Sequence, residues 1–168
     1  MERQLRFMTK NNLSKRALNI AFGIILCLIV FVISRLVLHS YLTSLIYDNF
    51  LREVQIGVFT SEPKISQNEN FLFAILMTLL FAATLIIWIR EPLRLKIISL
   101  CVNMIVVLIA IVVRGIVLSY ELSNVTEMLD YELSHIGLSR VLLATVTVII
   151  PINYVVKNRL RNFSSLST

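Results

Sequence analysis

Residues 71–96 read FLFAILMTLLFAATLIIWIREPLRLK, and this stretch decides the fold. From Phe71 to Ile89 there is no charge, and at about 1.5 Å per residue a helix of that length reaches about 28 Å, close to the ~30 Å hydrocarbon core of a bilayer. Arg90-Glu91-Pro92 then ends it, because proline lacks the backbone donor of a continuing helix and biases the residue before it away from helical geometry. A new apolar run, 97–118, follows at once. The pair predicts two membrane-spanning helices joined by a tight turn and packed as neighbours, with Trp88 as an aromatic anchor at the interface.

Working outward, an apolar run over 17–38 precedes this hairpin and a shorter one over 141–156 follows it. The first comes after a basic leader (Arg3, Arg6, Lys10, Lys15, Arg16). It is longer than a signal-peptide core and lacks a small-residue cleavage site before Arg35, so it reads as a retained anchor. The last opens at Arg140, contains Thr145 and Thr147, and ends in Pro151-Ile152-Asn153-Tyr154, which predicts a helix kinked at the proline and packed on protein. Composition agrees: 57% of the 168 residues are hydrophobic, 15% are charged, and mean hydropathy is +0.82, too apolar for a soluble domain of this length. The expected fold is an all-α integral membrane protein, a single membrane domain over 1–168 with four transmembrane helices in two hairpins.

The net charge of +6 is unevenly spread. Basic residues dominate 1–16, the 90–96 turn and the tail after Val156, whereas 41–70 hold Asp48, Glu53, Glu62 and Glu69 against Arg52 and Lys64, and 119–139 hold four acids and no base. The positive-inside rule places both termini and the short turn in the cytoplasm, and both long loops outside. This distribution explains the basic fringe by topology and attraction to anionic lipid rather than by nucleic-acid binding. Each long loop carries an amphipathic stretch. In 45–59, Ile46, Phe50, Val54 and Val58 recur every four residues; in 124–136, Asn124 and Glu127 have capping-box spacing ahead of Val125, Met128, Leu129, Leu133 and Ile136. Both predict short interfacial helices. The segment 60–70 has no periodicity and is expected to be exposed loop.

Polar residues inside the spans are few. Asn103, about one turn into the third, reads as an amide bonded to a neighbouring helix, and Asn153 is the other deep amide. Cys27 and Cys101 are expected at different depths, too far apart for a disulfide, each as a small buried hydrophobe.

Arg35, Arg114 and Arg140 end or begin spans on the side of the acidic loops. Arg35 and His39 are spaced i, i+4, and Glu132 and His135 i, i+3, so each pair shares a helical face. If those faces meet, Arg35, His39, Arg114, Glu132, His135 and Arg140 line an extracytoplasmic vestibule able to hold a lipid phosphate, a peptide carboxylate or the acidic loop of a partner. The plainer reading is that these arginines snorkel and form local ion pairs. No HExxH, paired-cysteine, G-x-S-x-G or glycine-rich phosphate motif is present, so no metal, cofactor or catalytic residue is assigned. Three N-x-S/T matches, at Asn12, Asn124 and Asn162, fall on both predicted sides and read as chance.

Two family likenesses appear. The order of a first span, Leu45-Ile46-Tyr47-Asp48-Asn49-Phe50-Leu51, two central spans and a last span ending Ile150-Pro151-Ile152-Asn153-Tyr154 resembles small membrane proteins associated with exosortase systems, although Asn49 stands where those have proline. Pro92-Leu93-Arg94 and Ala110-Ile111-Val112-Val113-Arg114-Gly115-Ile116-Val117 are similar to the phosphate-starvation-inducible E family, whose second-span glutamate is missing here. Neither transfers a catalytic residue. Three functions compete: a non-catalytic accessory or scaffold subunit of a larger membrane complex or export system, an oligomeric transporter or channel protomer, and an extracytoplasmic lipid- or anion-binding enzyme. The first is expected, with membrane lipids and a protein partner or a second copy as partners, in a bacterial or archaeal cell membrane.

Overall fold

The computed structural model describes residues 2–51, 67–123 and 137–166, with side chains over 17–51, 67–121 and 137–160. All its elements are helical: α1 (Glu2–Ile33), α2 (His39–Ile46), α3 (Gln67–Ile87), α4 (Leu93–Ser123) and α5 (Leu138–Leu166). Two π-helical turns, Ser34–Leu38 and Tyr47–Leu51, adjoin α2, and the residues flanking it keep right-handed helical geometry, so α1 to Leu51 is one unbroken helix. Residues 45–51 therefore do not start a separate interfacial helix; they continue the first span. The rest of that expected helix, 52–59, and all of 124–136 lie outside the described residues, as do Glu132 and His135.

Among the described residues, four helices are long and apolar enough to cross a membrane: Ala17–Leu51, Gln67–Ile87, Leu93–Glu121 and Leu138–Leu160. The fourth, expected to be short, is full length because Thr145, Thr147 and Asn153 all find hydrogen-bond acceptors within the protein, and its helix runs through Pro151. Polar atoms satisfied in this way do not have to reach water, so they do not shorten the span.

Local chemistry sets the ends. Pro92 opens α4, its carbonyl accepting from Leu95 N (3.0 Å) and Lys96 N (3.3 Å), the position where a missing N–H costs nothing. Gly137, at φ 63°, supplies the left-handed turn into α5, and its carbonyl accepts from Val141 N. Glu69, in the first turn of α3, reaches across to α5, where Oε1 accepts from both the backbone N (3.1 Å) and Oγ (2.6 Å) of Ser139. A carboxylate at that N-terminus satisfies orphan donors and complements the helix dipole. At the opposite end of α3, Lys157 donates to Ile87 O and Lys96 to Ile89 O (3.0 Å), placing cations on its exposed carbonyls.

The core joins Phe73, Leu76, Met77 and Leu80 of α3 to Val107, Ile111 and Leu118 of α4 and Leu138, Leu142, Val146 and Ile149 of α5, with Leu42, Ile46 and Leu51 covering it. α3 is central and lies against α1 and α5 more extensively than against α4, its hairpin partner; α5 is what bridges α3 and α4. Over Ala17–Ile33 no side chain is buried. Where α4 meets the π turn ending at Leu51, a Cβ on Gly115 would stand 2.9 Å from Phe50 Cδ2, so glycine there admits the ring. The cysteines are free, but neither is buried: Cys27 is half-buried and Cys101 exposed.

Candidate functional site

The described polar side chains gather at two places, one at each end of the bundle. The larger lies near the α3–α4 turn and joins three helices. Asn153 of α5 uses its whole amide: Oδ1 accepts from Trp88 Nε1 (3.0 Å) and Ser99 Oγ (2.6 Å), while Nδ2 donates to Asn103 Oδ1 (2.9 Å) and Ile149 O (3.0 Å). Asn103 Nδ2 in turn donates to Thr84 Oγ1 (2.9 Å), whose hydroxyl donates to Leu80 O (2.8 Å). All five side chains are buried. Burial explains the completeness, because an unpaired amide in hydrocarbon costs far more than the net gain of a made bond.

Trp88 therefore does not face the interface as an anchor. It turns inward, with 5% exposure, because Asn153 supplies an acceptor for its N–H. Asn103 and Asn153, noted separately in the sequence, are direct partners. Ser99, Thr84 and Trp88 were not singled out with them. The spacing Ser99–Asn103, one helical turn, carried a signal that both share a face.

Around this network the helices do not close completely. A groove of about 690 Å³ runs between α4 and α5, with Ser99, Asn103 and Asn153 on its floor and apolar side chains along its walls. A smaller void of about 260 Å³ lies among α1, α3 and α4, beside Ser34, Thr84 and Asn103.

The second gathering is at the acidic end. Arg35 and His39 do share the face turned toward α3, but differ in burial. The Arg35 guanidinium lies 5.7 Å from the centroid of Phe71, itself edge-on to Phe31, and its side chain is exposed. His39 is 3% exposed and edge-on to Phe73 at 5.2 Å, and among the described residues neither Nδ1 nor Nε2 has a hydrogen-bond partner. Its backbone carbonyl accepts from Thr43 Oγ1 (2.8 Å). Arg114 pairs along its own helix with Glu121 at 3.3 Å. Arg140 is exposed. Among the described residues no hydrogen bond or ion pair links Arg35, His39, Arg114 and Arg140 to one another. The residue that does connect elements here is Glu69, which sequence reasoning had placed in exposed loop.

No family model, curated protein or solved structure matches this chain. The geometry alone thus assigns roles to residues. The inner network ties α3, α4 and α5 together, and Glu69 ties the acidic ends of α3 and α5.

Proposed function

We propose that this chain is a non-catalytic accessory or scaffold subunit of a larger membrane complex. The observation that carries the reading is the saturation of Asn153: all four of its amide bonding positions are spent on the protein itself. A conduction path or a catalytic centre needs polar groups available to a substrate, and the deepest polar groups here serve as helix-to-helix ties instead. α1, with no buried side chain from Ala17 to Ile33, stands beside this tied unit as the element most open to a neighbour in the membrane.

The charge distribution supports an orientation with both termini and the 90–96 turn in the cytoplasm and residues 52–66 and 124–136 outside. Cysteines introduced at 60–70 and 122–134 are expected to react with an impermeant reagent from outside only. The function itself is tested by purification in a gentle detergent, with mass spectrometry of co-purifying chains. A stoichiometric partner chain is expected, retained through contacts with α1; a lone, monodisperse monomer sinks the reading.

A further inference from the structure

The groove between α4 and α5 has a chemical gradient along its length. Its walls are apolar, and it extends from Ala110 and Val141 at the acidic end to Leu95 and Leu160 at the basic end. On α4 this is fifteen residues of rise, about 22 Å, longer than one leaflet of a ~30 Å hydrocarbon core. At the basic end each wall finishes in an arginine in register with the groove. Arg94 precedes the groove residues Ile98 and Val102 by one and two helical turns, and Arg159 follows Val156 by one turn and Ile152 by two.

These two arginines differ from the neighbouring lysines. Lys96 and Lys157 are engaged by the carbonyls that end α3. The side chains of Arg94 and Arg159 are exposed and make no hydrogen bond or ion pair with a described residue, and the carboxylate of Glu91, the acid closest to them in sequence, makes none either. An apolar furrow open to lipid, finished by two unspent guanidinium groups at membrane-surface depth, matches an amphiphile with a tail and an anionic head.

We propose that the basic half of this groove is a binding site for one anionic phospholipid, its acyl chain along Ile98, Val102 and Ile152 and its phosphate held between Arg94 and Arg159. Guanidinium suits the phosphate because its planar donors pair with two oxygens at once. The floor helps: Asn153 has all four amide positions bonded within the protein, and Ser99 and Asn103 are each bonded to it, so an apolar tail covers the amide of Asn153 without leaving it an unmet bond. The proposal stands apart from the accessory-subunit reading, since a chain working alone or in a complex has the same groove.

Trp88 is the only tryptophan in the chain and lines the groove, which provides a direct readout. The full chain is reconstituted in phosphatidylcholine vesicles containing, at equal mole fraction, either phosphatidylglycerol or phosphatidylcholine brominated high on one acyl chain, and Trp88 fluorescence is followed. Brominated phosphatidylglycerol is expected to quench more strongly at low mole fraction. Replacing both Arg94→Gln and Arg159→Gln is expected to weaken this preference about tenfold or more, and Arg94→Lys with Arg159→Lys, which keep the charge but lose the paired donors, to retain only part of it. Val102→Phe, on an exposed groove wall, is expected to reduce quenching by both lipids. Equal quenching by the two headgroups in the unaltered chain overturns the proposal, as does a preference that survives loss of both arginines. Quenching by neither lipid would show the groove filled by another helix and overturns it equally.

Discussion

The two ends of the bundle treat buried polar atoms in opposite ways. Near the α3–α4 turn, the buried polar side-chain atoms of Asn153, Asn103, Thr84, Ser99 and Trp88 all have hydrogen-bond partners, whereas at the acidic end the His39 ring is buried with neither nitrogen bonded to a described residue. The first arrangement holds helices together. The second gives the ring no such tie among the described residues, and a buried imidazole left without a partner costs stability. The difference teaches that polar residues within a few residues of a span end are not equivalent: what they do depends on whether an adjacent helix offers a complementary group at the same depth.

Substitutions can break this comparison, and the largest effect is expected at Asn153. Asn153→Ala leaves the Trp88, Ser99 and Asn103 groups without their shared partner and is expected to cost about 2–4 kcal/mol, measured by reversible unfolding in detergent or bicelles. A loss below about 0.5 kcal/mol would mean that the groups re-pair or reach water, and would erase the contrast between the ends. Glu69→Ala removes the carboxylate from the start of α5, with an expected cost of about 1–2 kcal/mol and faster amide exchange in the first turn of that helix. His39→Phe is expected to have the opposite sign, neutral or stabilising by about 1 kcal/mol, because it replaces an unbonded ring by an apolar one against Phe73. A clear destabilisation would reveal a partner for the imidazole. The smallest effect belongs to Arg114→Gln, within about 0.5 kcal/mol, since its pair with Glu121 is largely exposed.

Much of the architecture was legible in the chain. The uncharged run at 71–89, the Arg90-Glu91-Pro92 stop and the flanking apolar runs are enough to define four spans, because membrane insertion responds to length and hydropathy, both local properties. Where a helix ends was harder to read: nothing in residues 39–51 reveals that Leu42, Ile46 and Leu51 pack inward and carry the first helix straight through. The candidate sites divide along the same line. Asn103 and Asn153 stand out as rare amides, yet their pairing depends on which faces of α4 and α5 meet, information that resides between helices. For Trp88 the local cue, an aromatic at a span end, is common to anchors and to buried donors, and only the position of Asn153 decides. Arg35 lies against Phe71 and His39 against Phe73, but i, i+4 spacing does not tell which of the two lies under the neighbouring helix.

The order in which the four spans are synthesised gives the Asn153 amide a temporal meaning. α3 and α4 enter the membrane before α5, and at that stage Thr84 and Asn103 have each other while Trp88 Nε1 and Ser99 Oγ await an acceptor that has not yet been made. Only when α5 arrives does one residue close all the open positions together. A chain halted before residue 153 therefore carries a chemical mark of incompleteness inside the bilayer, and a finished one conceals it.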